Sequence, residues 1–178
     1  MRSPELSERL ARVRLMIFDV DGVLTDGTVR TPHRGGGRVF HVHDGFGFYL
    51  ARKAGLMMAL CSGKDEDEIR DRAEALRVPT LRLGRLDKDA AVGEILEELG
   101  VSRGEALFVG DDLFDMPGME AAGLSAAPAD ARPEVREFAD WVLDLPGGRG
   151  AVREAIEGVL KARGLWDELI TSFLRVKA

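Results

Sequence analysis

Asp19 and Asp21 stand where the apolar run Leu15-Met16-Ile17-Phe18 breaks off into Asp19-Val20-Asp21-Gly22-Val23-Leu24-Thr25. Such a run, stopped by Asp-x-Asp-Gly, reads as a buried strand ending in two carboxylates at a turn. Two acids that close repel each other unless a cation or a proton lies between them. A second run repeats the design. Ala106-Leu107-Phe108-Val109 passes into Gly110-Asp111-Asp112-Leu113-Phe114-Asp115. If the two runs are neighbouring strands, Asp19, Asp21 and Asp111, with Asp112 as a further candidate, converge at the end of the sheet where open α/β folds bind ligands. Oxygen donors without a matching Cys or His set suit Mg²⁺, with waters and a phosphate completing the octahedron.

Two more residue types complete a set. Ser62, in Cys61-Ser62-Gly63, offers a hydroxyl beside backbone N–H groups, and Lys88 offers a cation at the start of a helix. Phosphoryl transfer requires neutralised phosphoryl oxygens, an in-line attacker and a protonated leaving oxygen. Asp19 is the candidate nucleophile, since an aspartyl-phosphate divides one hard step into two easier ones. Asp21, two residues on, is the candidate acid and base. Each part also has an ordinary reading. Ser62-Gly63 can be a strand-end turn, Lys88 a solvated helix residue, and Asp112 and Asp115 helix caps. It is their order, each at the end of an element, that favours chemistry.

The segments around these residues alternate between strand and helix. Strands are expected over Val13–Phe18, Leu56–Leu60, Thr80–Leu83, Ala106–Val109, Leu124–Ala126 and Trp141–Leu143. Helices are expected over Phe46–Ala54, along the face Ile69, Ala73 and Leu76, along Val92, Ile95, Leu96 and Leu99, over Leu113–Ala121, and along Val152, Ile156, Val159 and Leu160. Alternation of this kind implies a mostly parallel sheet between helical layers, a Rossmann-like three-layer α/β sandwich. The expected organisation is one domain over residues 1–178, with a protruding β-hairpin at 28–42 and a tail at 165–178. Val29, Val39, Phe40 and Val42 are apolar for a free ribbon, which is marginal in water, so the hairpin points to an oligomer.

Composition narrows the classes. A chain of 178 residues can bury its own core without a disulfide, and the single Cys61 cannot form an internal one. A formal charge of −6 disfavours nucleic acid as a bulk partner. Met1–Arg14 lacks the apolar core of a secretory signal, and no stretch nears the ~20 residues of a membrane span. A soluble, cytoplasmic protein is expected.

The set of motifs resembles the haloacid dehalogenase superfamily of phosphotransferases. Its motifs match Asp19-Val20-Asp21-Gly22-Val23, Ser62, Lys88 and Gly110-Asp111-Asp112-Leu113-Phe114-Asp115. The resemblance implies that Asp19 attacks and Asp21 moves protons. It implies Mg²⁺ held by the Asp19 and Asp111 carboxylates and the Asp21 carbonyl, with Asp112 assisting, and a phosphoryl group bound by Ser62 and Lys88. Only the 28–42 segment separates the first motif from Phe46, so no cap domain is expected. This is similar to the capless branch that includes the 3-deoxy-D-manno-octulosonate 8-phosphate phosphatases. Asp44-Gly45-Phe46-Gly47 and Gly147-Gly148-Arg149-Gly150 resemble segments of that branch. The branch is tetrameric, with hairpins that assemble together and tails that help close a neighbour's site. Asp44, Gly63, Lys64 and Arg149 become substrate-binding candidates, Arg149 because a guanidinium matches a carboxylate bidentately.

Two departures bear on the substrate. The branch usually has Thr-Gly-Arg where this chain has Ser62-Gly63-Lys64, and Arg where it has His43. Lysine keeps the charge and loses the fork. An eight-carbon sugar-acid phosphate is the first expectation, and a nine-carbon one the alternative. His33, His41 and His43 read as polar positions, with His41 and His43 on one face of a strand. Two rivals stand beside the phosphatase. A signalling receiver would place adjacent acids early and its phosphorylated Asp on a later strand, the reverse of this order. A silent oligomerisation subunit would not need Asp19, Asp21, Lys88 and Asp111.

Overall fold

Apolar runs too short for helices and closed by Asp, Ser or Gly form six strands among the described residues: β1 (Leu15–Phe18), β2 (Met57–Cys61), β3 (Thr80–Arg82), β4 (Ala106–Val109), β5 (Gly123–Ala127) and β6 (Trp141–Val142). The structure, a computed structural model, describes residues 3–29 and 37–175. The strands lie in the order β3-β2-β1-β4-β5-β6, and every neighbouring pair is parallel. This is the doubly wound order, and it reverses direction between β1 and β4. Phe18 is in register with Leu60 of β2 and with Val109 of β4. Asp19, Ser62 and Asp111 therefore all follow strand ends that lie side by side.

Among the described residues eight helices flank the sheet: α1 (Pro4–Ala11), α2 (Val42–Lys53), α3 (Asp67–Leu76), α4 (Lys88–Leu99), α5 (Met116–Ala122), α6 (Pro133–Phe138), α7 (Ala151–Ala162) and α8 (Trp166–Leu174). Side chains alternate across β1 with a period of two. Met16 and Phe18 join one core with residues of α1, α2, α3 and α7, while Leu15 and Ile17 join a second core with α4, α5 and α6. A strand buried on both faces has no polar alternation, and all four residues of β1 are buried. Phe18 meets Phe48 of α2 at 5.2 Å between ring centroids, a contact that pins α2 over the strand end.

The expected strands and the parallel sandwich are present, and among the described residues no cap stands over the strand ends. The described flanks of the expected hairpin differ. Thr28, Val29 and residues 37–41 carry no strand, and Val42 opens α2; residues 30–36 lie outside the described residues. The reason is visible at Arg38, whose N–H donates to Glu68 Oε2 at 3.1 Å and not to a facing strand. His41 and His43 accordingly flank the start of a helix, with rings 5.0 Å apart, and do not share a strand face; His33 lies outside the described residues. The tail is helical over α8. Phe173 packs at 5.7 Å from Phe46, and Lys53 donates to Ser172 Oγ at 2.7 Å, so this part of the tail sits on its own α2. No helix among the described residues is long and apolar enough to cross a membrane.

Candidate active site

The Asp19 N–H donates to the Val109 carbonyl at 3.0 Å, extending the β1–β4 pairing one residue beyond the strand. The chain then turns sharply. The N–H groups of Val23, Leu24 and Thr25 all point at the Val20 carbonyl, at 3.4, 2.9 and 3.1 Å. Gly22 has φ 92°, and a Cβ there would lie 2.0 Å from Asp111 Oδ2. Only glycine permits both the left-handed backbone and the approach of the second acidic loop.

Asp19, Asp111 and Asp115 each offer a carboxylate oxygen, all within 4.8 Å of one another. Lys88, the first residue of α4, reaches in with its Nζ 2.6 Å from Asp19 Oδ1 and also pairs with Asp115. Its side chain is 4% exposed, so it is a fixed cation. Gly118 makes room for it, since a Cβ there would lie 3.0 Å from Lys88 Cβ. Asp115 is fully engaged: its other oxygen accepts the N–H groups of Asp111 and Asp112 at 2.8 and 3.2 Å. Asp112 lies outside this cluster and caps the 3₁₀ turn Leu113–Asp115 through the Leu113 N–H. The structure thus brings Asp115, and not Asp112, into the cluster. The spacing Asp112–Asp115 is a capping-box spacing, which is why Asp115 reads from sequence as a cap only.

Three acids against one lysine leave the cluster short of positive charge. Burial, with Asp115 adding to it and Lys88 opposing, pushes the Asp19 carboxyl up to about 7. Burial and the neighbouring Asp19, Asp115 and Asp112 push Asp111 up to about 8. Burial pulls Lys88 down, but Asp19 and Asp115 outweigh it and hold its ammonium above the ordinary lysine value. A hard divalent cation between Asp19 and Asp111 relieves this repulsion, and the all-oxygen donor set fits Mg²⁺.

Asp21 is placed differently. Arg38 forks onto it, Nε to Oδ1 at 2.8 Å and Nη2 to Oδ2 at 3.0 Å, and Lys64 Nζ lies 3.2 Å from Oδ2. Burial raises the Asp21 carboxyl, but Arg38 and Lys64 outweigh it and hold it below the usual range. Ser62 is buried at the end of β2, its N–H on the Arg82 carbonyl at 2.8 Å and its Oγ accepting the Lys64 N–H at 3.2 Å. Asp19, Asp21, Ser62, Gly63, Lys64, Lys88, Asp111 and Asp112 all line one cavity of about 390 Å³ at the strand ends, with Leu86 and Phe114 on its wall.

Two candidates sit outside that lining. The Asp44 carboxylate accepts the N–H groups of Gly150 and Arg153 at 3.2 and 2.8 Å and so caps α7 from α2. That cap occupies both of its oxygens. Arg149 is exposed, 3.4 Å from Asp26 Oδ2. It rides on a loop held against the first turn, where a Cβ on Gly147 would lie 1.8 Å from the Gly22 carbonyl oxygen and one on Gly148 2.3 Å from the Thr25 backbone. Arg38 has no motif in the sequence to reveal it. Its partner Asp21 is 17 residues away, and its own segment reads from sequence as a hairpin arm.

A doubly wound sheet with a cation-seeking acidic cluster at its switch point defines a class of α/β proteins built for phosphate chemistry. A family model for haloacid dehalogenase-like hydrolases matches residues 84–156. A 3-deoxy-D-manno-octulosonate 8-phosphate phosphatase of Salmonella typhimurium is 39% identical over 167 residues, covering 93% of this chain and 89% of the relative. The phosphatase of that name from Moraxella catarrhalis, solved with magnesium, phosphate and the sugar acid, superposes with a TM-score of 0.90 at 29% identity, covering 95% of this chain and 98% of that one. A cobalt-bound phosphatase from Haemophilus influenzae superposes with a TM-score of 0.85 at 36% identity, covering 88% of this chain and 92% of that one. The chain belongs to the haloacid dehalogenase-like hydrolase family, on the branch of these phosphatases.

Proposed function

We propose that the chain is a Mg²⁺-dependent phosphomonoester hydrolase that converts 3-deoxy-D-manno-octulosonate 8-phosphate into the free sugar acid and phosphate. The observation that carries this reading is the convergence of Asp19 and Asp111 on one cation-deficient cluster, with Lys88 fixed against Asp19. Asp19 and Asp111 would hold Mg²⁺, which when bound would supply positive charge to the phosphoryl oxygens. Asp19 attacks phosphorus in line. Asp21 gives a proton to the departing sugar oxygen, then takes one from the water that splits the aspartyl-phosphate. The Ser62 hydroxyl and Lys88 ammonium bind the phosphoryl oxygens, and Asp115 holds Lys88 and the Asp111 loop in place. Asp112, outside the cluster, orients solvent at its mouth.

Lys64 and Gly63 form the wall that meets the sugar, and Arg149, beside the first turn, is the candidate for the substrate carboxylate. Asp44 acts on that site indirectly, by holding the loop that carries Arg149. In this reading the enzyme acts in the cytoplasm as a homotetramer and supplies sugar acid for lipopolysaccharide synthesis. The exposed Val42, Phe46 and Tyr49, one stripe of α2, support an assembly.

A panel of phosphorylated sugar acids, assayed for phosphate release with Mg²⁺ and with a chelator, tests the reading. The eight-carbon substrate should be hydrolysed fastest, and chelation should stop it. Preference for a nine-carbon sugar acid would move the assignment to that class, and no metal-dependent release from any member would remove it.

A further inference from the structure

We propose that Arg38 is a positioning residue for the hydrolytic half of the reaction. It holds the Asp21 carboxylate where it takes the proton of the water that attacks the phosphorylated Asp19. The inference rests on the reading above and adds a residue that no motif of the chain includes.

Arg38 belongs to the irregular segment before α2, yet its side chain is 8% exposed. Every guanidinium nitrogen is engaged. Nε and Nη2 grip the two Asp21 oxygens, and Nη1 donates to Glu66 Oε2 at 2.5 Å. The Arg38 N–H is itself tied to Glu68, so α3 and the loop before it anchor the residue from behind. Asp21 lines the cavity and Arg38 does not, so the guanidinium stands at the back of the carboxylate. Lys64 approaches the same group from the cavity, but its side chain is 42% exposed. A lysine is a point charge on a flexible stem and cannot set the plane of a carboxylate; a planar fork can. Fork and lysine together occupy three of the roughly four acceptor directions of a carboxylate and leave one for a water.

The two half-reactions use Asp21 differently. In the first, the P–O bond to the alcohol breaks as the Asp19 oxygen bonds to phosphorus, and Asp21 protonates the departing oxygen. An aryl oxide is stable enough to leave without that proton. In the second, the water oxygen bonds to phosphorus, the bond to Asp19 breaks, and one water proton passes to Asp21. Phosphate departs and Asp19 regains its carboxylate. Loss of the fork should therefore leave phosphorylation by an aryl phosphate nearly intact and slow the hydrolysis that follows.

The test is rapid-mixing kinetics of the full chain with p-nitrophenyl phosphate and Mg²⁺, comparing the unaltered protein with Arg38→Met and Arg38→Lys. For Arg38→Met we expect steady turnover to fall about 10- to 100-fold, while the first phase changes less than about 3-fold. A burst of p-nitrophenolate approaching one equivalent of sites should precede slow release. Arg38→Lys should show the same burst with a smaller loss. Equal slowing of both phases, or no change in either, overturns the proposal. If Arg38→Met does not fold, Arg38→Lys decides: a burst with slowed turnover supports the fork, and kinetics equal to the unaltered chain overturn it. Absence of any turnover in the unaltered protein overturns both the assigned function and this inference.

Discussion

Asp19 and Asp111 are two carboxylates held apart from bulk water with too little positive charge between them. Their raised values, about 7 and about 8 against an ordinary 3.8, give the pH dependence its sign. Without a divalent ion, the folded chain holds protons that the unfolded chain has released. The stability these groups contribute is complete below 3.8 and is lost as pH rises through about 7 and about 8. Cation binding needs the ionised forms, so Mg²⁺ should raise the melting temperature more at each step upward through that window, with protons released on binding. A Mg²⁺-induced shift that stays flat over the window contradicts the shared site. At the same scale, Asp19→Asn should lower turnover by at least about 1,000-fold while leaving the far-ultraviolet spectrum unchanged, because the attacking charge is lost and the amide fits the same space. Turnover within tenfold of the unaltered chain rejects Asp19 as nucleophile. These acids were legible in the sequence because each ends an apolar run, and a run's end is a strand's end. Asp115 was legible only as a cap, since its second role comes from Lys88 on a different element. Arg38 was not legible: a basic residue in a segment that reads as a hairpin arm carries no signal until its partners are placed.

Elements carry these residues to one point, and two joints between elements decide how well. One is Gly22, where the turn after β1 meets the loop after β4. Alanine there meets the Asp111 carboxylate and carries a left-handed backbone that costs about 1–2 kcal/mol in a residue with a Cβ. Gly22→Ala should lower both the melting temperature and the Mg²⁺ affinity, measured by titration calorimetry; unchanged affinity would show that the two loops do not share an ion. The other joint is Asp44, which supplies α7 with the cap that its own Gly150 cannot. Asp44→Ala should cost about 1–2 kcal/mol in urea unfolding, and a loss within a few tenths would dismiss the cap. The strands and the parallel sheet followed from run lengths and breakers alone. The hairpin expectation failed at its described flanks for a local reason: the backbone of Arg38 turns to Glu68, and Val42 opens α2. Helices α1, α6 and α8 went unread because short charged segments with Pro at the first turn, or a tail, gain their order from packing on other elements.

At the scale of the whole molecule, no cap closes the cavity among the described residues, so the loops that line it bear on what enters. Arg149 is the residue proposed for the substrate carboxylate, on a glycine loop packed against the first turn. Arg149→Ala should raise KM for the sugar-acid phosphate several-fold more than for p-nitrophenyl phosphate, by an amount typical of a lost charged hydrogen bond, about 10-fold. Equal effects on the two substrates would exclude carboxylate recognition. The central claim is that Asp19 carries the phosphoryl group between two half-reactions, and it can be read directly. Turnover of substrate with Mg²⁺, quenched in acid and digested, should yield a peptide bearing a phosphoryl group on Asp19 that Asp19→Asn and chelation both abolish. Active turnover with the phosphoryl group on another residue, or on none, would contradict the account.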